Sequence, residues 1–136
     1  MPKELPANDP FATLLGIEMY EHGDGYARGR VVVRPELMNP HVTLHGGVMY
    51  SLADQSMGAA VYTRLEPGES CATIEIKMVY IAAVREGTLD CETRVVNKGR
   101  RVAVLESEVR NGDTLVAKAL GTFAIFPIPT QRPPSA

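Results

Sequence analysis

The chain has 136 residues, of which 45% are hydrophobic and 22% charged, a composition typical of a folded globular protein. We expect a single domain over 1–136, with loose, proline-rich ends at about 1–8 and 127–136. The net charge of −2 argues against nucleic acid as a partner. Cys71 and Cys91 lie far apart, and we see neither a signal peptide nor a membrane-spanning run, so we expect a soluble cytoplasmic protein without a membrane partner.

The first predicted element is a short helix in "NDPFATLLG". Asn8 or Asp9 can cap its N-terminus, Pro10 suits its first position and Gly16 ends it. The next segment, "IEMYEHGDGYARGRVVV", predicts two strands joined by a tight turn at Asp24-Gly25.

The central segment, "HGGVMYSLADQSMGAAVYT", predicts one long helix whose residues are apolar, small or neutral almost all the way round. Such a helix is expected to be buried, because it has no broad polar face to present to water. Its many glycines, serines and alanines would let strands approach closely from several sides.

Four strands with alternating inward and outward side chains follow the helix. The first, "TIEIKMVYI", predicts an inner face formed by Ile74, Ile76, Met78 and Tyr80. The other three are "TLDCETRVV", "RRVAVLESEVR" and "TLVAKALGTFAIF", and Asn111-Gly112 marks a tight hairpin between the last two. Short connections predict a largely antiparallel sheet of five to six strands, curled around the one helix in an α+β domain.

Asp54 is the one charged residue between Gly46 and Thr63. Burying a lone carboxylate costs several kcal/mol unless it is hydrogen-bonded, paired or protonated. Removal from water makes a carboxylate a better base, so a catalytic role is one reading. The other is structural, with Asp54 hydrogen-bonded to a neighbouring hydroxyl such as that of Ser51 or Tyr50.

The turn before the helix favours the catalytic reading. Gly46 and Gly47 stand where the chain enters the helix, leaving backbone N–H groups free at its positive end. Such groups can polarise a carbonyl as charge develops on its oxygen. Asn39 and His45 add polar side chains to the same segment.

The spacing of these residues predicts a dimer. Gly46 and Asp54 are eight residues apart, or about 12 Å along a helix. A carbonyl polariser and a base or nucleophile must both reach one reacting carbon, so one copy of the helix cannot supply both. Two antiparallel helices related by a twofold axis can place each Gly46 beside the partner's Asp54.

The segments "NPHVTLHGGVMYSLADQSMGAA", "YIAAVREGTL" and "VVNKGRRVAVLESEVRNGDTLVAKALGTF" resemble the hotdog-fold acyl-CoA thioesterases. The resemblance is greatest to the phenylacetic-acid-degradation type, which is 4-hydroxybenzoyl-CoA thioesterase-like, and it covers roughly Phe11 to Phe126. It implies a hotdog fold, in which a curved antiparallel sheet wraps around one long helix. It also implies a homodimer, or a homotetramer built as a dimer of dimers.

The resemblance implies roles for five catalytic-site positions. Gly46 matches the glycine whose N–H polarises the thioester carbonyl, and His45 a residue that orients that carbonyl or the glycine turn. Asn39 matches an asparagine that positions the attacking water. Asp54 matches the catalytic carboxylate, as general base or as nucleophile, and Thr73 a Ser/Thr that assists across the site.

Coenzyme A requires a further feature, because its phosphates are anionic. The predicted turn "NKGRR" places Lys98, Arg100 and Arg101 around Gly99, and such cations suit phosphate recognition. An ordinary solvated hairpin remains the alternative for this turn. Gly47 and Arg85 are further candidates for substrate or CoA binding.

We therefore expect a thioesterase that hydrolyses an acyl- or aryl-CoA to the free acid and CoA. We expect no metal and no cofactor, because CoA is part of the substrate, and the pair His41 and His45 lacks a third zinc ligand nearby. The alternatives are a non-catalytic acyl-CoA-binding hotdog module and a hotdog hydroxyacyl-thioester dehydratase, which the N…HGG…D order fits poorly.

Overall fold

The computed structural model describes residues 3–129, so most of the expected loose tail at 127–136 lies outside the described residues. In chain order the elements are α1 (Pro10–Leu15), β1 (Glu18–Gly23), β2 (Tyr26–Val32), a 3-10 turn (Pro35–Leu37), α2 (Gly46–Tyr62), β3 (Glu69–Tyr80), β4 (Thr88–Lys98), β5 (Val102–Asn111) and β6 (Thr114–Pro127).

The strands form one antiparallel sheet of six, in the order β1-β2-β4-β5-β6-β3. The helix α2 contacts every strand, as expected of a sheet curled around a central helix. This arrangement confirms the predicted α+β class. The sheet has six strands, where five to six were predicted.

Local sequence signals account well for the turns and caps. Asp9 caps α1 by accepting a hydrogen bond from the Ala12 N–H, and Gly16 ends that helix in the left-handed conformation (φ 78°). Gly25 has φ 68° in the predicted turn between β1 and β2. Gly112 has φ 61° in the hairpin between β5 and β6, which confirms a turn at this point.

Strand β3 departs from strict alternation, and the prediction that Ile74 faces the core is wrong. The pairing of β3 with β6 shifts register between Thr73 and Glu75, where β3 forms a bulge. Ile74 is consequently 56% exposed, whereas Ile76 and Met78 pack against the core. The extra residue changes which side chains of β3 face α2.

The core lies between α2 and the inner face of the sheet. Alternation predicts this face correctly in β5, where Ala103, Leu105, Ser107 and Val109 are all buried. In β6 every second residue from Ala117 to Ile125 is buried, as alternation predicts, and Leu115 is half-buried. Within residues 3–129, no helix has the combination of length and apolar character that crossing a membrane requires.

The N-terminal residues 3–8, expected to be loose, lie against the domain in the structure. Lys3 donates to the Leu65 carbonyl at 3.3 Å, and its ammonium lies 4.3 Å from the centre of the Tyr62 ring. The Lys3 carbonyl in turn bonds to His22 Nε2 at 2.8 Å. This segment therefore covers part of the domain beside the C-terminal half of α2.

Candidate active site

Asp54 has one close partner in the structure, and that partner is Thr73. The Thr73 hydroxyl donates to Asp54 Oδ1 at 2.6 Å, joining the middle of α2 to the beginning of β3. The hydroxyls of Ser51 and Tyr50, which we considered as structural partners of Asp54, do not make this hydrogen bond. Ser51 instead donates to the Gly47 carbonyl at 2.7 Å, within its own helix.

Asp54 is half-buried, so the expectation of a fully buried carboxylate is wrong for a single protomer. The reason lies in the sheet, because β3 is an edge strand whose Thr73 is itself exposed. The hydrogen bond occupies Oδ1, and no hydrogen bond to Oδ2 exists within residues 3–129. The second oxygen is thus available to a water molecule or a substrate carbon.

The bulge in β3 explains why Thr73 points toward Asp54. Thr73 pairs with Phe123 and Ile76 pairs with Gly121, and Phe123 and Gly121 both belong to the buried face of β6. Directly paired residues of neighbouring strands face the same side of a sheet. Two residues three positions apart can share that side only because the bulge adds one residue between them.

The turn His45–Gly47, which we call the HGG turn, begins α2. The His45 ring accepts the Gly47 N–H at its Nδ1, at 2.8 Å, and the His45 carbonyl accepts the Val48 N–H at 2.9 Å. The Gly46 N–H makes no hydrogen bond within residues 3–129. One donor at the positive end of α2 is therefore free, and it belongs to the glycine singled out by the sequence.

Tyr80 is a residue of this site that sequence reasoning missed. Its hydroxyl donates to the Gly46 carbonyl at 2.7 Å, and its ring lies so close that a Cβ on Gly46 would be 3.1 Å from ring carbons. Burial, and then the negative charge that Tyr50 carries when ionised, raise the pKa of Tyr80. Tyr80 was predicted only as one of the inward residues of β3.

Asn39 organises the loop that leads into the HGG turn. Its Oδ1 accepts the N–H groups of His41 (2.9 Å) and Thr43 (3.2 Å), and its Nδ2 donates to the Thr43 hydroxyl at 2.8 Å. Val42, inside this loop, has φ 61°, a conformation that a β-branched residue rarely adopts. The amide of Asn39 thus holds a strained loop, and its expected role in positioning water stays a prediction.

The predicted site residues fall into two separate groups within one protomer. Asn39, His45, Gly46 and Gly47 lie at the N-terminus of α2, whereas Asp54 and Thr73 meet beside its middle. The two groups are held apart by eight residues of continuous helix, or about 12 Å. The structure of the chain therefore keeps these two groups of predicted site residues apart.

Arg85 belongs with the first group. The Val84 carbonyl, one residue before it, accepts the Leu44 N–H at 2.7 Å, so the loop after β3 lies against the residue that precedes His45. Arg85 itself is exposed.

The turn Asn97–Arg101, which we call the basic turn, belongs with the second group. Ala103 and Thr73 both pair with Phe123, which puts them at one level of the sheet, two strands or about 10 Å apart. Lys98 pairs with Ala103, so the turn extends from the sheet end where Thr73 meets Asp54. Within residues 3–129, Lys98, Arg100 and Arg101 form no ion pair, and both arginines are exposed.

Comparison with known proteins places this geometry in a family. The family model described as the thioesterase superfamily matches residues 41–118, a span that includes the HGG turn, Asp54, Thr73 and the basic turn. The chain belongs to the thioesterase superfamily.

Two curated relatives and one solved structure illustrate the similarity. A protein of Saccharolobus solfataricus that carries the name of an esterase is 32% identical over 90% of this chain and 82% of its own length. The acyl-coenzyme A thioesterase PaaI of Escherichia coli is 30% identical over 76% of this chain and 73% of its own length. The phenylacetic acid degradation protein PaaI of Thermus thermophilus has a TM-score of 0.80 and 31% identity, covering 85% of this chain and 98% of that one.

The thioesterase also has a cavity of about 730 Å³ beside Asp54, which we call the Asp54 cavity. Asp54 and Thr73 lie on its wall together with Cys71, the half-buried residue two positions before Thr73. Burial, and then the negative charge of Asp54, raise the pKa of the Cys71 thiol. A thiol with a raised pKa is a poorer nucleophile at neutral pH, which disfavours Cys71 as the reactive group of this wall.

We also searched the described residues for side chains that could bind a metal ion. Residues 3–129 contain no group of three or more His, Cys, Asp or Glu side chains arranged to hold a metal ion.

The hydrogen bond from Tyr80 generates a prediction for this site. Tyr80→Phe removes the bond to the Gly46 carbonyl, so the HGG turn loses its anchor to β3. We expect kcat for thioester hydrolysis to fall about tenfold, the equivalent of ~1.4 kcal/mol of transition-state stabilisation. Steady-state kinetics with a thiol reagent measures this change.

Tyr50→Phe is the matched control, because it removes a tyrosine hydroxyl from α2 without touching the Gly46 carbonyl. An equal loss of kcat in both variants would show that the Tyr80 bond does not position the turn.

Proposed function

We propose that this protein hydrolyses an acyl-CoA thioester to the free acid and CoA, with no further cofactor. The observation that carries the proposal is the Asp54 carboxylate, held at one oxygen by Thr73 and open at the other beside a cavity. The free Gly46 N–H supplies the second requirement, a donor for the carbonyl oxygen. A relative named as an acyl-CoA thioesterase supports CoA as the thiol part of the substrate.

In this proposal the working site forms between two copies of the chain. The helix keeps Gly46 about 12 Å from Asp54 of its own protomer, too far for both to act on one carbon. Within residues 3–129, strand β3 pairs with β6 on one side only, and its other edge lies open along Glu69–Tyr80. The apolar side chains of Ile74, Val79 and Ile81 are exposed along this region.

An open strand edge of this length is normally covered, because its unpaired N–H and C=O groups invite pairing with another chain. Twofold pairing of two β3 edges would place the two α2 helices side by side and antiparallel. Each Gly46 then faces the partner's Asp54, and the dimer has two composite sites.

The chemistry follows from these positions. The Gly46 N–H of one protomer donates to the thioester carbonyl oxygen and stabilises the negative charge that develops there. Asp54 of the other protomer acts either as a base on water or as a nucleophile. As a base it takes a proton from the water whose oxygen attacks the carbonyl carbon; the C–S bond then breaks and the CoA thiolate takes up a proton.

As a nucleophile, Asp54 Oδ2 attacks the carbonyl carbon and forms a mixed anhydride as the C–S bond breaks; CoA leaves as the thiolate and takes up a proton. Water then hydrolyses that anhydride and regenerates the carboxylate. Both routes need the same contacts, because Thr73 fixes Oδ1 in either case. We assign His45 to holding the HGG turn through Gly47, and Asn39 to the loop beside the attacking water.

We assign the CoA phosphates to the basic turn, with Arg85 of the other protomer as a second contact. Three cations without an acidic partner in the described residues are an electrostatic match for a phosphate group. Their position at the Thr73 end of the sheet keeps CoA close to the reacting bond.

Assembly beyond the dimer and location in the cell are further parts of the proposal. Val102 and Leu120 are 42% and 53% exposed in the strands β5 and β6, which suits a dimer of dimers. Cys71 and Cys91 are both free thiols, which suits the reducing cytoplasm.

The proposed function is tested with a panel of acyl-CoA substrates and two variants at one position. Gly46 is the first residue of α2, where proline is well tolerated, and the extended His45 before it (φ −62°, ψ 131°) is compatible with proline. Gly46→Pro deletes the proposed N–H donor. Gly46→Ala is the matched control, since it adds the same crowding of Tyr80 by a Cβ but keeps the donor.

We expect the wild-type protein to turn over acyl-CoA, and Gly46→Pro to have a kcat roughly 100-fold below that of Gly46→Ala, the effect typical of one lost oxyanion donor. Equal kcat values in the two variants would remove Gly46 from the mechanism. CoA binding without turnover on any acyl-CoA would favour the non-catalytic module instead.

The basic turn is tested by the double variant Arg100→Ala with Arg101→Ala. We expect KM for acyl-CoA to rise and its dependence on ionic strength to flatten, with kcat little changed, because the removed charges contact only the phosphates. The control is Arg110→Ala with Lys118→Ala, which removes two cations that are already paired with Glu108. An unchanged KM in the first variant would make the basic turn an ordinary solvated hairpin.

A further inference from the structure

The Asp54 cavity extends from the reactive carboxylate to the N-terminal segment. Its wall is formed by residues between Glu4 and His22, by the second half of α2, by the beginning of β3 and by Phe123 of β6. A volume of about 730 Å³ is within the range of pockets that enclose drug-sized ligands. This space is much larger than a water molecule or an acetyl group requires.

The charges of the cavity indicate which end of an acyl-CoA can enter it. Among the described residues that line it, the titratable side chains are those of Glu4, Asp9, Asp54, His22, Tyr62 and Cys71, with no lysine or arginine. Carboxylates on the wall disfavour the phosphates of CoA. The other end of the substrate, its acyl group, is neutral and mainly apolar, and the wall offers it Leu5, Ala59 and Phe123.

Gly58 lies on this wall one turn after Asp54, in the interior of α2. Glycine destabilises a helix relative to alanine, so its presence there needs a reason. Its φ is not in the left-handed region, and a Cβ built on it would meet only Phe123, at an ordinary contact distance of 3.8 Å. Neither backbone conformation nor packing requires glycine at this position.

The other two glycines of α2 provide a contrast. A Cβ on Gly46 would lie 3.1 Å from the Tyr80 ring, and one on Gly47 would lie 2.9 Å from His45 Nδ1. Close neighbours explain both of those glycines. Because Gly58 has no side chain, the space beside Asp54 stays open.

We propose that Gly58 is a specificity-determining residue, which keeps the Asp54 cavity open for an acyl group much bulkier than acetyl. This inference rests on the proposed acyl-CoA thioesterase function. The inference states that the acyl group binds in the Asp54 cavity and that it is bulkier than acetyl. It also names Gly58 as the residue that determines how much space the cavity offers.

Hydrogen bonds and a cation–π contact hold the N-terminal part of the cavity wall in place. The Gln55 side chain, next to Asp54 in sequence, donates to the Asp9 carboxylate and so ties α2 to the N-cap of α1. Lys3 fastens the segment before α1 through the Leu65 carbonyl, His22 and the Tyr62 ring. Filling the cavity from the Gly58 side therefore reduces the space left for the acyl group.

The test compares Gly58→Leu with Gly58→Ala. Leucine occupies part of the cavity beside Asp54, whereas alanine adds a Cβ that fits without strain. Both replace glycine by a better helix former, so both should fold at least as stably as the wild type. For each variant, kcat/KM is measured with acetyl-CoA, hexanoyl-CoA, decanoyl-CoA and phenylacetyl-CoA, and the melting temperature confirms that the protein is folded.

We expect Gly58→Ala to keep the wild-type preference. In Gly58→Leu we expect the ratio of kcat/KM for the bulkiest accepted acyl-CoA to that for acetyl-CoA to fall at least about tenfold, the discrimination that one or two methylene groups provide in an apolar pocket. An unchanged ratio in an active, folded Gly58→Leu would overturn the inference while leaving the thioesterase function intact. Absence of turnover in the wild type itself would instead remove the function on which the inference rests.

Discussion

The arrangement of this protein depends on one constraint, which is the rigid spacing of Gly46 and Asp54 along α2. An α-helix rises about 1.5 Å per residue, so eight residues separate a free backbone donor from a reactive carboxylate by about 12 Å. No movement of side chains alone can bring those groups to one carbon atom. In the proposed mechanism a second copy of the chain supplies the missing half, and the open edge of β3 is the feature that can bring it there.

Strand β3 makes hydrogen bonds to both Asp54 and Gly46. Near its start the Thr73 hydroxyl fixes Asp54, and at its end the Tyr80 hydroxyl fixes the Gly46 carbonyl. The same strand carries the unpaired edge along which a partner can add. The hydrogen bonds to Asp54 and Gly46 and the proposed pairing edge thus belong to one element, and a change in its register would disturb both.

Much of this arrangement is predictable from local sequence. The caps of α1, the turns at Gly25 and Gly112, and the buried faces of β5 and β6 follow from short-range patterns, because each depends on a few neighbouring residues. The spacing of Gly46 and Asp54 is equally local, since both lie on one helix. These signals suffice to identify the fold class, and they predict the residues of the candidate site.

What the sequence could not reveal depends on contacts between distant residues. The bulge that turns Thr73 toward Asp54 and exposes Ile74 arises from pairing with β6, about fifty positions further along the chain. The bond from Tyr80 to Gly46 and the packing of Lys3 against Tyr62 are likewise long-range. The partial exposure of Asp54 follows from the edge position of β3, which no periodicity within the helix encodes.

The central claim, that each site takes Gly46 from one chain and Asp54 from the other, is tested most directly by mixing two inactive chains. Asp54→Asn and Gly46→Pro, each prepared alone, should be nearly inactive. A purified heterodimer of the two has one site with both groups intact and one site with neither, so the account predicts about half of the wild-type kcat per dimer. A folded heterodimer as inactive as its two parents would contradict it, because every site would then draw both groups from a single chain.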